Sequence, residues 1–286
     1  MIIESLDKKT AVKQANVFVR FLLQALEYRA ISKFDNNTIH RIEASIYNCA
    51  IQYVMKLNDK SFRPLFASVC RWAFDGEGSV TSIDEIDRMK SFFKFFTKLQ
   101  ESLRSIITSY YSYLLDSTEE LLNKFVDGSI KDINLRRLVL ISLTASFKSD
   151  QDEYWQSQAR YETIVKALTS QFANVEDGIG KYLVKAVTSL VQDTSSSDEY
   201  NKMVNELIIS HMRADCKPRE KFWAVRTLKT IYKKSGEHWF SLLPQLVPII
   251  AELLEDDDED VEMEVRTGLA KVIEEVMGEP LDKYLD

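Results

Sequence analysis

Val225-Arg226-Thr227 returns as Val265-Arg266-Thr267 after 40 positions, and Gly236-Glu237 returns as Gly278-Glu279. A spacing near 40 residues is the period of a HEAT-like helical repeat, two helices and their turns. After each Val-Arg pair the apolar residues keep helical spacing: Leu228 and Ile231 in the first copy, Leu269, Val272 and Ile273 in the second. Each helix therefore has one stripe to bury, and no single pair can bury it alone. Lys217 to Asp286 reads as two such pairs, whose stacking creates the core and leaves an extended outer surface. Lys181-Tyr182 precedes Lys221-Phe222 by 40 positions and Arg137-Leu138 precedes Lys181 by 44, which carries the ladder back to about residue 130. The expectation is an all-α, HEAT-type α-solenoid, with residues 129–286 as regular repeats and residues 1–128 as an irregular helical part continuous with them.

Glycine and proline, 8 and 5 in 286 residues, are too scarce for many short strands and their turns. The prolines fall near expected helix starts. Cys49, Cys70 and Cys216 are far apart and form no Cys-x-x-Cys pair, so neither a disulfide framework nor a structural zinc site is expected, and a reducing, intracellular setting fits. The first residues show no basic start followed by an apolar run, and no window nears 18 uninterrupted apolar residues. The expectation is therefore no secretory signal and no membrane. The net charge of −7 is unevenly spread: residues 251–286 hold 14 acidic and 3 basic side chains, while residues 1–250 hold 30 acidic and 34 basic.

Along the first part, Val12, Val17, Phe18, Phe21, Leu22, Ala25 and Leu26 mark one amphipathic helix, and Asp35-Asn36-Asn37-Thr38 offers a break and a new cap. Ile39, Ile42, Ile46, Ala50, Val54 and Leu57 mark a second. Ser61 is positioned to cap a third, with Leu65, Val69, Trp72 and Ala73 on its buried side. Ser82 with Glu85, Ser117 with Glu120 and Ser196 with Glu199 fit the capping-box spacing. The later helices are expected near 133–147, 152–172, 180–191, 197–213, 218–234, 238–254 and 260–277.

Chemistry-bearing clusters are sparse. His40, His211 and His238 lack partners at metal or catalytic spacing, and Gly178-Ile179-Gly180 lacks the third glycine of a dinucleotide fingerprint and reads as a helix start. Asp84, Glu85 and Asp87 are first-turn acids that favour the helix dipole. No enzyme, metal, cofactor or small-molecule substrate is expected. Two basic features are candidate RNA- or partner-contact sites. Lys90, Lys94 and Lys98 fall at i, i+4 and i+8 on one helix, a stripe that can track a phosphate backbone. The segment 213–234 concentrates Arg213, Lys217, Arg219, Lys221, Lys229, Lys233 and Lys234, with Arg226 assigned a structural role in the Val-Arg pair. The acidic run Glu255-Asp256-Asp257-Asp258-Glu259-Asp260 reads as a solvated loop between two helices; as a contact it would repel nucleic acid and attract a basic protein surface. The tryptophans are expected in the core.

Lys56-Leu57-Asn58-Asp59, two further residues, Phe62-Arg63-Pro64-Leu65-Phe66 and then Trp72-Ala73 resemble the C-terminal region of the large HEAT-repeat scaffold of the small-subunit processome, the U-three-associated protein ten or HEAT-repeat-containing protein one family. Asp59 stands where that family usually has Glu. A second match lies in Leu242-Leu243-Pro244, Leu253-Leu254-Glu255-Asp256, Val261-Glu262 and Gly278-Glu279-Pro280-Leu281 with Tyr284. The resemblance implies a fragment of a very long, non-catalytic nucleolar scaffold. It further implies partners among WD-repeat propeller proteins, association with the leader of the pre-ribosomal RNA, and a role in small-subunit rRNA maturation. The Phe62-to-Phe66 motif reads as a well-packed helix start. The alternative is a HEAT adaptor of nuclear-transport or phosphatase-scaffold type, against which both motifs speak.

Overall fold

The structure, a computed structural model, describes residues 3–194 and 197–284. Among the described residues all regular structure is helical. The chain divides into two compact units, Met1–Ser117 and Thr118–Asp286, a division ahead of the residue-128 boundary expected from sequence.

The first unit contains α1 (Lys8–Leu26), the single turn α2 (Tyr28–Ile31), α3 (Asn36–Val54), α4 (Asp59–Asp75), α5 (Glu85–Leu103) and a 3-10 run over Arg104–Tyr113. Asp7, Asp35 and Asp84 start α1, α3 and α5, each accepting a backbone N–H from the first turn. That satisfies donors the helix itself leaves unpaired. Ser82 is thus not the cap of α5. Nor does Ser61 start α4: Asn58 does, accepting from the Ser61 amide, while the Ser61 hydroxyl faces the Asn58 amide in a reciprocal box. The box thus starts the helix three residues earlier than the expected Ser61 cap.

The core of this unit is aromatic. Phe66 and Trp72 on α4 and Phe92, Phe93, Phe95 and Phe96 on α5 are wholly buried, and Phe66 lies 5.5 Å from Phe96 and 5.4 Å from Tyr110. With four adjacent phenylalanines buried, α5 is enclosed over most of its circumference. By contrast, Val12, Val17 and Phe21 of the expected α1 stripe stay exposed, because the buried face of α1 is Ala11, Leu22, Leu23 and Leu26.

In the second unit, α6 (Leu115–Val126) is followed by α7 (Ile133–Lys148), α8 (Gln158–Thr169), α9 (Gly180–Asp193), α10 (Asp198–Ser210), α11 (Pro218–Trp239), α12 (Leu243–Leu253), α13 (Glu259–Glu264) and α14 (Ala270–Met277). A π-turn, Val265–Leu269, joins the last two. The helices alternate between two layers. One layer runs α7, α9, α11 and then α13–α14, each packed on the next. The other runs α8, α10 and α12, tied by Tyr161 stacked on Tyr200 at 4.0 Å and by Asn205 donating to Gln245 at 3.1 Å. Paired helices in two stacked layers are the HEAT-like arrangement, and the fold is all-α of that class.

Several expectations shift. Lys217 to Asp286 holds not two pairs but one pair and the second helix of the pair before it. The Gly-Glu recurrence is not structural. Gly236 sits inside α11 beside Ser235, whose φ of −134° breaks the helical run without ending it, whereas Gly278 closes α14 at φ +75°. A Cβ on Gly236 would lie 2.5 Å from Val276 Cγ1, so the glycine permits close approach of α11 and α14. The helix expected over 218–234 is thus kinked at Ser235, and the helical path runs on to Trp239 before the next helix begins at Leu243. Helix α6 starts at Leu115, ahead of the Ser117 box. Ser196 lies outside the described residues; Ser197 caps α10 through the Tyr200 amide.

Candidate RNA- and partner-contact surface

The polar groups of the core are structural ties. Arg136 is 2% exposed; its Nε donates to Gln171 Oε1 at 3.0 Å, its Nη1 to the Asn174 carbonyl at 2.6 Å and its Nη2 to the Gln171 carbonyl at 3.1 Å. Gln171 in turn donates to the carbonyls of Leu122 and Ala167. Burial pulls the Arg136 guanidinium down to about 10, partly offset by Glu176 at 3.9 Å. In the first unit Glu27 is wholly buried, accepting from Trp72 Nε1 at 2.8 Å and from the amides of Val80 and Thr81 at 3.2 and 2.9 Å. Burial alone would raise its carboxyl; the bonds from Ser79, Trp72, Thr81 and Val80 outweigh it and hold the group below its ordinary value.

The lysine stripe on α5 faces acids along its length. Lys90 lies 2.7 Å from Asp87 and Lys98 2.6 Å from Glu101, while Lys94 is 3.9 Å from Glu43. Glu43 is already clasped by Arg29 through two bonds of 2.9 and 2.8 Å. Burial pushes the Lys94 ammonium below its ordinary value, against the pull of Glu43.

The basic segment 213–234 separates into inward and outward members. Lys221 is buried and paired with Asp256 at 2.5 Å, and Lys229 is bonded to Glu264. Both acids come from the acidic last pair, so that region supplies counter-ions to α11 as well as facing solvent. Arg213, Lys217, Arg219, Lys233 and Lys234 are exposed; Arg219 pairs with Asp177, and Lys234 reaches Gln192 Oε1 at 3.3 Å. Sequence reading gave all seven equal standing because an inward lysine differs from an outward one only through residues 35 positions away.

The motif residues Phe62, Leu65, Phe66 and Trp72 are buried. Arg63 lies 2.6 Å from Asp59 and 4.9 Å above the Tyr110 ring, and Pro64 is exposed. This region is a packed helix start carrying an outward Arg and Pro. Sequence reading missed a cation–ring group in the second unit: Arg137 is 5.2 Å from the Tyr182 ring, and Arg226 is 5.0 and 5.5 Å from the Phe222 and Trp223 rings. Trp223 is half-buried, not a core residue like Trp72, Trp155 and Trp239. The signal was present in the aromatic at the second position of Lys181-Tyr182 and Lys221-Phe222, which the 40-residue register places on equivalent turns.

His40 Nδ1 bonds the Asn36 carbonyl, and His211 Nδ1 donates to Glu220 at 2.6 Å. Asp84 accepts the Asp87 amide as a helix cap. Among the described residues no group of three or more His, Cys, Asp or Glu is placed to hold a metal ion, and no helix is long and apolar enough to cross a membrane.

Paired helices in two layers, with cations spread along their faces, define a helical-repeat protein. The BP28CT (NUC211) domain matches residues 10–155, just over half of the chain. The chain belongs to that family. It is 58% identical over 284 residues to a U3 small nucleolar RNA-associated protein 10 from Eremothecium gossypii, 56% over 285 residues to that of Saccharomyces cerevisiae and 58% over 291 residues to that of Candida albicans. Each match covers 99% of this chain and 16% of the relative, so the chain spans about one sixth of the length of these curated relatives.

Proposed function

We propose that this chain is part of a non-catalytic scaffold of the nucleolar small-subunit processome, supporting early pre-rRNA processing and small-subunit biogenesis. The observation that carries the reading is identity above one half along 99% of the chain to proteins named for association with U3 small nucleolar RNA. The helical-repeat fold supports it, because a stack of helix pairs holds separated surfaces in fixed relation without a reaction centre. WD-repeat propeller proteins are the proposed protein partners, and the pre-ribosomal RNA leader the proposed RNA. The outward cations Arg213, Lys217 and Lys233, together with the α5 stripe Lys90, Lys94 and Lys98, are proposed contacts. The names of the relatives run against the nuclear-transport or phosphatase adaptor.

The test is recovery of the tagged full-length protein from cells, with identification of the proteins and RNA that accompany it. U3 RNA and processome proteins are the expected companions. Nuclear-transport factors or phosphatase subunits in their place would reverse the assignment.

A further inference from the structure

We propose that Arg137, Tyr182, Arg219, Phe222, Trp223 and Arg226 form a single surface of the second unit that binds single-stranded RNA by stacking and phosphate contact together. The inference rests on the ribonucleoprotein reading and gives it a place on the molecule. The residues stand on α7, α9 and α11, consecutive helices of one layer. Arg137 lies over Tyr182, and Lys181 Nζ is also 5.2 Å from the centre of that ring. Its guanidinium also borders Gly178, one residue from Asp177, the partner of Arg219. Arg219 is 5.9 Å and Arg226 5.5 Å from the Trp223 ring, and Trp223 closes over Gly180, at the end of the same 177–180 loop. A run of neighbours, Arg137 beside Gly178, Asp177 with Arg219, and Arg219 and Arg226 beside Trp223, therefore links the two ring groups.

The chemistry matches a single strand. Tyr182, Phe222 and Trp223 are half-buried rather than enclosed, so part of each side chain is open to solvent beside its arginine. Rings and guanidinium planes both stack on unpaired bases, while the guanidinium fork suits phosphate. Four cations face two carboxylates here. The Arg219–Asp177 pair is open to solvent, with Asp177 89% exposed, and exposed pairs are weak enough for a phosphate to displace. Glu264 divides its charge between Arg226 at 3.5 Å and Lys229. An acidic protein segment would use the cations and leave the rings unused; an RNA duplex offers no free base faces.

The 286-residue chain is titrated by fluorescence anisotropy with a short oligouridylate, a blunt RNA duplex and polyglutamate over a range of salt. Oligouridylate is expected to bind best. Arg137→Gln and Arg226→Gln each weaken it and flatten the slope of log affinity against log salt by about 0.7, the value for one lost phosphate contact on a single strand. Tyr182→Leu weakens it about tenfold with the slope unchanged, as loss of one stacked base does. Lys202→Gln, a surface residue on α10, leaves binding as it was. Thermal melts confirm that each variant folds, and oligouridylate is expected to quench the tryptophan fluorescence of the unaltered chain but not that of Trp223→Phe. Equal binding of polyglutamate, equal binding of duplex, unaltered affinity in all three variants, or no binding at all each overturns the proposal. Those failures leave co-purification with processome components standing; oligouridylate binding by a protein that recovers no such components would instead sink the scaffold reading.

Discussion

The two units solve the burial problem differently. The first gathers large rings from α4, α5 and the Arg104–Tyr113 run into one shared cluster, with Phe66 within 6.3 Å of five other rings, Phe62, Phe92, Phe96, Tyr110 and Tyr113. Among the described residues the second has no such centre. Ties of similar reach lace it instead: Arg136 to Gln171, Lys221 to Asp256 and Lys229 to Glu264 all span 35 residues. A shared cluster makes every contributor answerable to all the others, whereas neighbour-to-neighbour ties confine damage to one interface.

The largest effect that tests this contrast is Phe66→Ala. Removing a wholly buried ring from the cluster should cost about 3–5 kcal/mol, and hydrogen exchange should rise across α4 and α5 together. Protection lost only near Phe66 would mean that the first unit is no more cooperative than the second. Next is Arg136→Ala, which strands Gln171 Oε1 and two carbonyls; about 3 kcal/mol is expected. Here exchange should rise around α6, α7 and the 170–174 turn while α11 to α14 keep their protection.

Gly180→Ala sharpens the same point in a single atom. The added Cβ falls 2.0 Å from Trp223 Cε2, so the indole must move, at a cost of about 2 kcal/mol. Its fluorescence should shift toward that of a more exposed ring, and an unshifted spectrum would show that the helices separate instead. Glu27→Gln should be smaller again, about 1–2 kcal/mol, since the bond from Trp72 survives while the charge-assisted bonds from Val80 and Thr81 do not. Because the folded carboxyl titrates below its ordinary value near 4.5, its contribution is complete above that value and fades as pH falls through the folded pKa. The melting difference between the two proteins should therefore narrow on acidification; a gap that widens would refute the assignment.

The regular half of the fold was legible because the 40-residue register, Lys181-Tyr182 against Lys221-Phe222, reports a repeated environment. Helix ends were less so. Asn58 and Ser197 are ordinary cap residues, but several Ser, Asp and Asn stand nearby and only three-dimensional closure chooses among them. In α1 the periodicity named Phe21 as buried, yet an apolar stripe states only that a face can be covered and not which side of it is. The candidate surface was hardest to read. A lysine's local sequence does not show whether Asp256 or water meets its ammonium, and Arg226, assigned a structural role from its Val-Arg context, pairs with Glu264 but also lies across two half-exposed rings.

The 35-residue ties carry a practical lesson about dissecting such a chain. Lys221 and Lys229 on α11 receive their neutralising acids, Asp256 and Glu264, from the last part of the chain, so a polypeptide cut after Phe240 would lay both lysines bare. Such a fragment would acquire an appetite for polyanions through two lysines that the intact molecule keeps neutralised. Truncation mapping would then register the wound as a binding domain.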